Sequence, residues 1–79
     1  MSEYRPEEMY ANFTHNIVAL RRAHGLTKKA MAQILEISLY SLNQIEKGQI
    51  PSNLGLEALV AAAIYFRISA EDLLTRRLG

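Results

Sequence analysis

The sequence predicts an all-α fold of five short helices, and three observations support this prediction. No stretch keeps the alternation of apolar and polar residues, with a period of two, that is typical of a half-buried strand. Four times, an apolar residue precedes a helix-capping residue, and a second apolar residue follows four positions after the cap. Finally, Gly25 and Gly48 stand where helices should end, because glycine adopts the left-handed conformation that closes a helix.

The capping pattern predicts four helix starts, because the two apolar residues around each cap can form a hydrophobic staple. The instances are Leu26-Thr27 with Met31, Ile37-Ser38 with Leu42, Leu54-Gly55 with Leu59, and Ile68-Ser69 with Leu73. The predicted helices after these caps span residues 28–35, 39–47, 56–66 and 70 to about 77. Residues 48–55, with Pro51, form a loop.

The first helix precedes these four and should end near His24. Its apolar face consists of Met9, Phe13, Ile17 and Leu20. Its start is open between two alternatives: Pro6 suits the first helical position, and Asn12 could cap a shorter helix.

Length and composition limit the classes of function. The 79 residues suit one small domain or a fragment of a larger chain, and the absence of cysteine removes disulfides and thiolate zinc sites. The longest apolar run, residues 58–66, is far shorter than the roughly 18 residues of a membrane-spanning helix, so a protein without a membrane partner is expected. The net charge of +1 neither requires nor excludes a nucleic-acid partner.

Catalysis finds no support in the sequence. His15 and His24 lie nine positions apart, with no acids arranged beside them as metal ligands. Ser38 and Ser41 have no recognisable His–Asp partners. An enzyme is therefore the least favoured class, and no cofactor or metal is expected.

The segment 27–48 has a distinctive order of residues. A small residue, Ala32, is followed at fixed offsets by the apolar Ile37, Leu42 and Ile45, and then by Glu46-Lys47-Gly48. This order resembles the helix-turn-helix of the lambda-repressor/Cro-like superfamily of DNA-binding regulators, also called the xenobiotic-response-element family. The likeness extends over roughly residues 13–75.

The resemblance implies a compact five-helix lambda-repressor-like domain over residues 1–79, with its motif at about 27–48. It also implies a small transcriptional regulator, with repression favoured, that binds specific double-stranded DNA in the cytoplasm of a bacterial or phage-infected cell. The second motif helix would lie in the major groove with its N-terminal residues against base edges.

The resemblance also assigns site residues. It places Leu39, Tyr40 and Gln44 at base-reading positions, with Asn43 beside them, while a merely solvated helix face is the alternative. Thr27, Lys28, Ser38 and Lys47 are the candidate phosphate contacts, because helix N-termini and lysines attract anions. Arg21 is expected to pair with Glu46 in a structural role, so it should not count as free charge for DNA.

Three departures from the family pattern stand out. Glu36 and Arg67 occupy places where the family usually has glycine, and each costs about 1 kcal/mol if its φ is positive. The loop after the third helix is about three residues longer than the commoner pattern. Phosphate contacts in that loop are therefore the least transferable.

Self-association is expected, because family members commonly bind as two-fold dimers on half-sites about 34 Å apart. Residues 56–79, chiefly the fifth helix, are the first candidate interface, and Tyr4, Met9 and Tyr10 are the second. Within the fourth helix, the pattern places Leu56, Leu59, Ala63 and Phe66 inward and leaves Ile64 and Tyr65 outside. The rival function is a protein-interaction module on the same scaffold, of the anti-repressor or antitoxin-like kind, with a regulatory protein as its partner.

Overall fold

The computed structural model describes residues 5–79, which form five helices and, over that range, no strand. The helices are α1 (Pro6–Ala23), α2 (Lys28–Leu35), α3 (Leu39–Glu46), α4 (Leu56–Phe66) and α5 (Ala70–Thr75). The all-α prediction is confirmed. Tyr4, named above as part of a candidate interface, lies outside the described residues.

The predicted caps start the helices. The hydroxyl oxygens of Thr27, Ser38 and Ser69 each accept a hydrogen bond, 3.0 Å long, from the backbone N–H three residues later. In each helix, this bond satisfies one of the N–H groups that the first turn leaves without a partner. Gly55 precedes α4 without a side-chain cap.

Two helices end earlier than predicted. Lys47 is the C-cap of α3 rather than its last residue. Arg76 is extended, with φ −118° and ψ 149°, so α5 stops at Thr75 instead of near Arg77. The start of α1 is settled in favour of Pro6, which occupies its first turn. The alternative, a cap at Asn12, is wrong because Asn12 lies inside the helix.

Two helix ends adopt the left-handed conformation without glycine. Glu36 closes α2 with φ 58° and ψ 40°, and Arg67 closes α4 with φ 58° and ψ 45°. In this region the Cβ atom of an L-residue crowds its own backbone, which is why glycine is preferred there. The strain expected at both positions is therefore present.

The core lies where all five helices meet. Its fully buried side chains include Ile17, Met31, Leu35, Leu42, Ile45 and Leu73. From α4 the core takes the small residues Ala58 and Ala62, while Leu59, Ala63 and Phe66 are half-buried around it. The inward placement of Leu56 was wrong, because this side chain is 71% exposed. Two residues correspond to a rotation of about 200° around a helix, so Leu56 points away from the face that buries Ala58.

A polar cluster on α1, not predicted from the sequence, holds the segment that follows α5. We call it the α1 clamp, and it consists of Asn12, His15 and Asn16. Asn16 is fully buried: its Nδ2 donates to the carbonyl oxygens of Leu73 (2.8 Å) and Arg76 (2.6 Å), and its Oδ1 accepts from the N–H of Leu78 (2.8 Å).

The other two clamp residues lie closer to the surface. Asn12 donates to the carbonyl of Leu74 at 2.9 Å and accepts from Arg77 Nε at 3.1 Å. His15 Nε2 lies 2.9 Å from the carbonyl oxygen of Leu78 and must carry the proton, since a carbonyl can only accept. The clamp thus replaces the helical hydrogen bonds that the chain loses when α5 ends.

Candidate nucleic-acid interface

The turn between α2 and α3 sets the angle of the two motif helices. Ala32 is 5% exposed, so its small side chain lies within the packed interior that α2 and α3 share. Its carbonyl oxygen accepts from the N–H of Ile37 at 3.0 Å, and Glu36 supplies the left-handed residue between them. The sequence folds this way because a capping serine, Ser38, follows the turn directly and starts α3.

The N-terminal end of α3 presents large side chains to solvent. Leu39 is 48% exposed and Tyr40 is 72% exposed. One turn later, Asn43 and Gln44 are half-buried, although all four were expected to point outward. The difference arises because α3 buries Ser41 as well as Leu42 and Ile45, which widens its packed side. The protruding surface of α3 is therefore more apolar than the sequence suggested.

The start of α2 has two positively charged side chains and no acid in its first turn. Lys28 and Lys29 are exposed at its first two positions, directly after the Thr27 cap. Free N–H groups in the first turn add to the positive potential of the two ammonium groups. Thr27 Oγ1 accepts from Ala30 N, and a hydroxyl that accepts can still donate its own hydrogen.

Ser38 is less available than Thr27. Its Oγ accepts from the N–H of Ser41 at 3.0 Å, and its hydroxyl donates to Ser41 Oγ at 3.1 Å. A phosphate contact by this hydroxyl would have to displace one of these bonds. Lys47 is exposed at the C-cap of α3, at the opposite end of the helix.

Arg21 and Glu46 form a bidentate ion pair between α1 and the end of α3. Arg21 Nε donates to Glu46 Oε2 at 2.5 Å, and a second guanidinium nitrogen donates to Oε1 at 3.1 Å. Arg21 also donates to the carbonyl of Leu26 at 3.1 Å. Both side chains are largely buried, so this guanidinium is not available to a phosphate. The contribution of the pair to stability stays a prediction.

Several exposed positive charges lie close to this pair in the chain. Arg22 directly follows Arg21, and Lys47 directly follows Glu46. Lys28 and Lys29 come after the four-residue connection that joins α1 to α2. The acids Glu7 and Glu8 lie in the first turn of α1, at the other end of a helix about 27 Å long. The positions of these charges in the chain favour a local basic patch despite the net charge of +1.

The two histidines occupy unrelated places. His15 belongs to the α1 clamp, and His24 caps the end of α1 with its ring centroid 5.0 Å from that of Phe66. Between residues 5 and 79, no group of three or more His, Cys, Asp or Glu side chains could hold a metal ion. In the same range, none of the helices has the length and apolarity needed to cross a bilayer.

Comparison with known families agrees with this geometry. Residues 17–73 match the family model described as helix-turn-helix, which includes all of α2, α3 and α4 and parts of α1 and α5. Searches of curated proteins and of solved structures returned no match.

Proposed function

The chain belongs to the Cro/C1-type helix-turn-helix family of DNA-binding transcription regulators, and we propose that it reads a specific sequence by placing α3 in the major groove. Domains of this family bind double-stranded DNA, and the family is regulatory rather than enzymatic. Sequence-specific reading requires that side chains reach the base edges, because contacts to phosphates position a protein without distinguishing one sequence from another.

The exposed start of α3 is the observation that carries the proposal. Leu39 and Tyr40 protrude at the end that this motif directs at base edges, where apolar side chains pack against thymine methyl groups. The amides of Asn43 and Gln44 lie one turn behind them and can pair with adenine. We therefore assign methyl contacts to the first two residues and hydrogen-bond readout to the second two.

Phosphate contacts would position the domain on the DNA backbone. Lys28 and the Thr27 hydroxyl, both at the start of α2, are the best placed for this role, and Lys47 would act from the far end of α3. Ser38 is the weakest of the four candidates because its hydroxyl is engaged with Ser41 in both directions.

We further propose that two copies bind an inverted repeat and that the bound protein represses transcription. Half-sites one helical turn apart match a two-fold dimer of this motif. A protein bound across a promoter can repress by blocking access to it, and this needs no cofactor.

Selection from a pool of random duplex DNA tests the proposal. The wild type should enrich an inverted repeat, and Gln44→Ala and Tyr40→Ala should each change or lose the preferred bases. Tyr10→Ala is the matched control, because Tyr10 is a similarly exposed tyrosine on α1. Failure of the wild type to enrich any sequence at low salt would refute sequence-specific reading, and equal effects of Tyr40→Ala and Tyr10→Ala would refute the assignment to α3.

The rival function, a protein-interaction module, is favoured by one observation. Leu39 is a large apolar side chain at the centre of the surface assigned to DNA. Salt separates the two functions, because binding that neutralises several phosphates weakens steeply as salt rises, whereas an apolar protein contact does not.

A further inference from the structure

Helix α4 has an exposed apolar face that the core does not use. Leu56, Val60 and Ile64 follow one another at intervals of four residues and are 71%, 44% and 72% exposed. The opposite side of the same helix is packed through alanines that are almost fully buried. Three large apolar residues of α4 are therefore on its outer side, whereas Leu59 and Phe66 pack against the core, and burying the outer three would remove apolar surface from water.

Opposite charges stand at the two ends of this face. Glu57 lies in the first turn of α4, and Arg67 directly follows its last residue; both are exposed. We call the set Glu57, Val60, Ile64 and Arg67 the α4 seam. Its three helical members are spaced by three and four residues, which is the spacing of residues that meet along a helix–helix contact, and Arg67 is the left-handed residue that ends the helix.

The seam is complementary to itself in one orientation. When two copies of α4 run antiparallel about a two-fold axis, Glu57 of each copy meets Arg67 of the other, and Val60 meets Ile64. A two-fold axis makes every such contact twice. A parallel arrangement would instead place the glutamates together and the arginines together, so the charges select the antiparallel one.

We propose that the α4 seam is the surface through which this protein associates with a second copy of itself. This inference rests on the proposed function, since a two-fold dimer is what would place two α3 helices on two half-sites. It names α4, rather than α5, as the dimer-forming element within residues 56–79.

The two other candidate surfaces are less suitable. In α5, Leu73 is fully buried and Leu74 half-buried, so no large apolar side chain of that helix is exposed. The N-terminal surface has the exposed Tyr10 beside an apolar hollow of about 520 Å³. However, no basic residue lines this hollow, and Glu7 and Glu8 lie in the chain between two residues that do line it, so the surface offers these acids no opposite charge from a second copy.

Sedimentation equilibrium without DNA is the first test, with the full chain at increasing concentration. The wild type should form a dimer, and Ile64→Glu should weaken its association at least about tenfold, because both copies would then bury a carboxylate. Tyr10→Glu is the matched control and should associate as the wild type does. Circular dichroism confirms that each variant is folded, as expected for substitutions at exposed positions. A wild type that stays monomeric throughout the concentration range, or a loss caused only by Tyr10→Glu, would overturn the proposal.

Charge reversal tests the orientation. Glu57→Arg and Arg67→Glu should each weaken the dimer by about tenfold, because each reversal creates two like-charge contacts. The double variant should recover most of the lost affinity, since opposite charges face each other again. Single reversals without effect, or a double variant weaker than both, would rule out the antiparallel seam.

Binding to a single half-site separates this inference from the proposed function. The probe is a short duplex that carries one half of the sequence enriched by the wild type. Ile64→Glu should bind this half-site with wild-type affinity but lose cooperative binding to the full repeat. Cooperative binding by Ile64→Glu would refute the α4 seam but would leave the proposed function standing. If no DNA sequence is enriched while the dimer forms, the proposed function fails and the seam stands.

Discussion

Replacing Glu36 by glycine should stabilise the domain. Glu36 has φ 58° and ψ 40°, a conformation that costs an L-residue roughly 1–2 kcal/mol. Glycine removes this cost but gives the unfolded chain more freedom, which offsets about 0.4–1 kcal/mol. The expected net gain in the free energy of unfolding is about 0.5–1 kcal/mol, which corresponds to a rise in Tm of about 2–8 °C for a domain of this size.

Thermal unfolding followed by circular dichroism measures this gain, with a urea titration as a second estimate. Glu36→Ala is the control, because alanine removes the carboxylate but keeps the Cβ atom that is strained. Its stability should stay within about 0.5 kcal/mol of the wild type, as for most surface substitutions. A Tm of Glu36→Gly that is unchanged or lowered, or a rise of the same size in Glu36→Ala, would show that the backbone conformation is not the source of strain.

Three further substitutions test other parts of the structure. Glu46→Ala should lower the free energy of unfolding by about 2–3 kcal/mol, since it leaves the largely buried Arg21 without its carboxylate; intact stability with loss of DNA binding alone would contradict the structural role. Asn16→Ala should cost about 3 kcal/mol in urea unfolding, because two carbonyls and one N–H lose their partner; a cost below about 1 kcal/mol would mean that water replaces the amide. Lys28→Ala should weaken binding to all DNA sequences alike and lower the slope of log K against log salt by about 0.9 for each bound copy; a change in sequence preference would instead make Lys28 a base reader.

Local signals explain why most helix boundaries could be predicted. The bonds that start α2, α3 and α5 join a hydroxyl to an N–H only three residues away, so a short window of sequence contains all the partners. The positive φ of Glu36 and Arg67 was accessible only through the family pattern, because neither residue type favours that conformation.

The orientation of α4 was predicted only in part: Ile64 and Tyr65 are exposed as expected, but Leu56 is not buried, and the sequence of this helix is apolar almost all the way round. In such a helix, periodicity does not say which side is buried. The structure shows that close packing selects the alanines, and that Leu56 is left outside. The same ambiguity hid the α4 seam, because the exposure of Val60, unlike that of Ile64, was not predicted.

The residues of the candidate site could be predicted from the sequence, but the exposed fraction of each side chain could not. Leu39 and Tyr40 are exposed as expected, whereas the half-burial of Asn43 and Gln44 depends on how far α3 sinks into its neighbours. The helical spacing of α3 indicates which residues share a face. How deeply that face is buried depends on residues far away in the chain.

The α1 clamp has a consequence for synthesis on the ribosome. Asn16 bonds to residues that lie 57 to 62 positions later in the chain. At about 5–20 residues per second, the clamp's partners are made roughly 3–12 s after Asn16 itself. The residues of α2 and α3 are added during that interval, but α1 cannot complete its packing until the segment after α5 has been made. The nascent domain therefore reaches its final fold only after Leu78 has been added, and a ribosome stalled before that point would hold a regulator with an unfinished core.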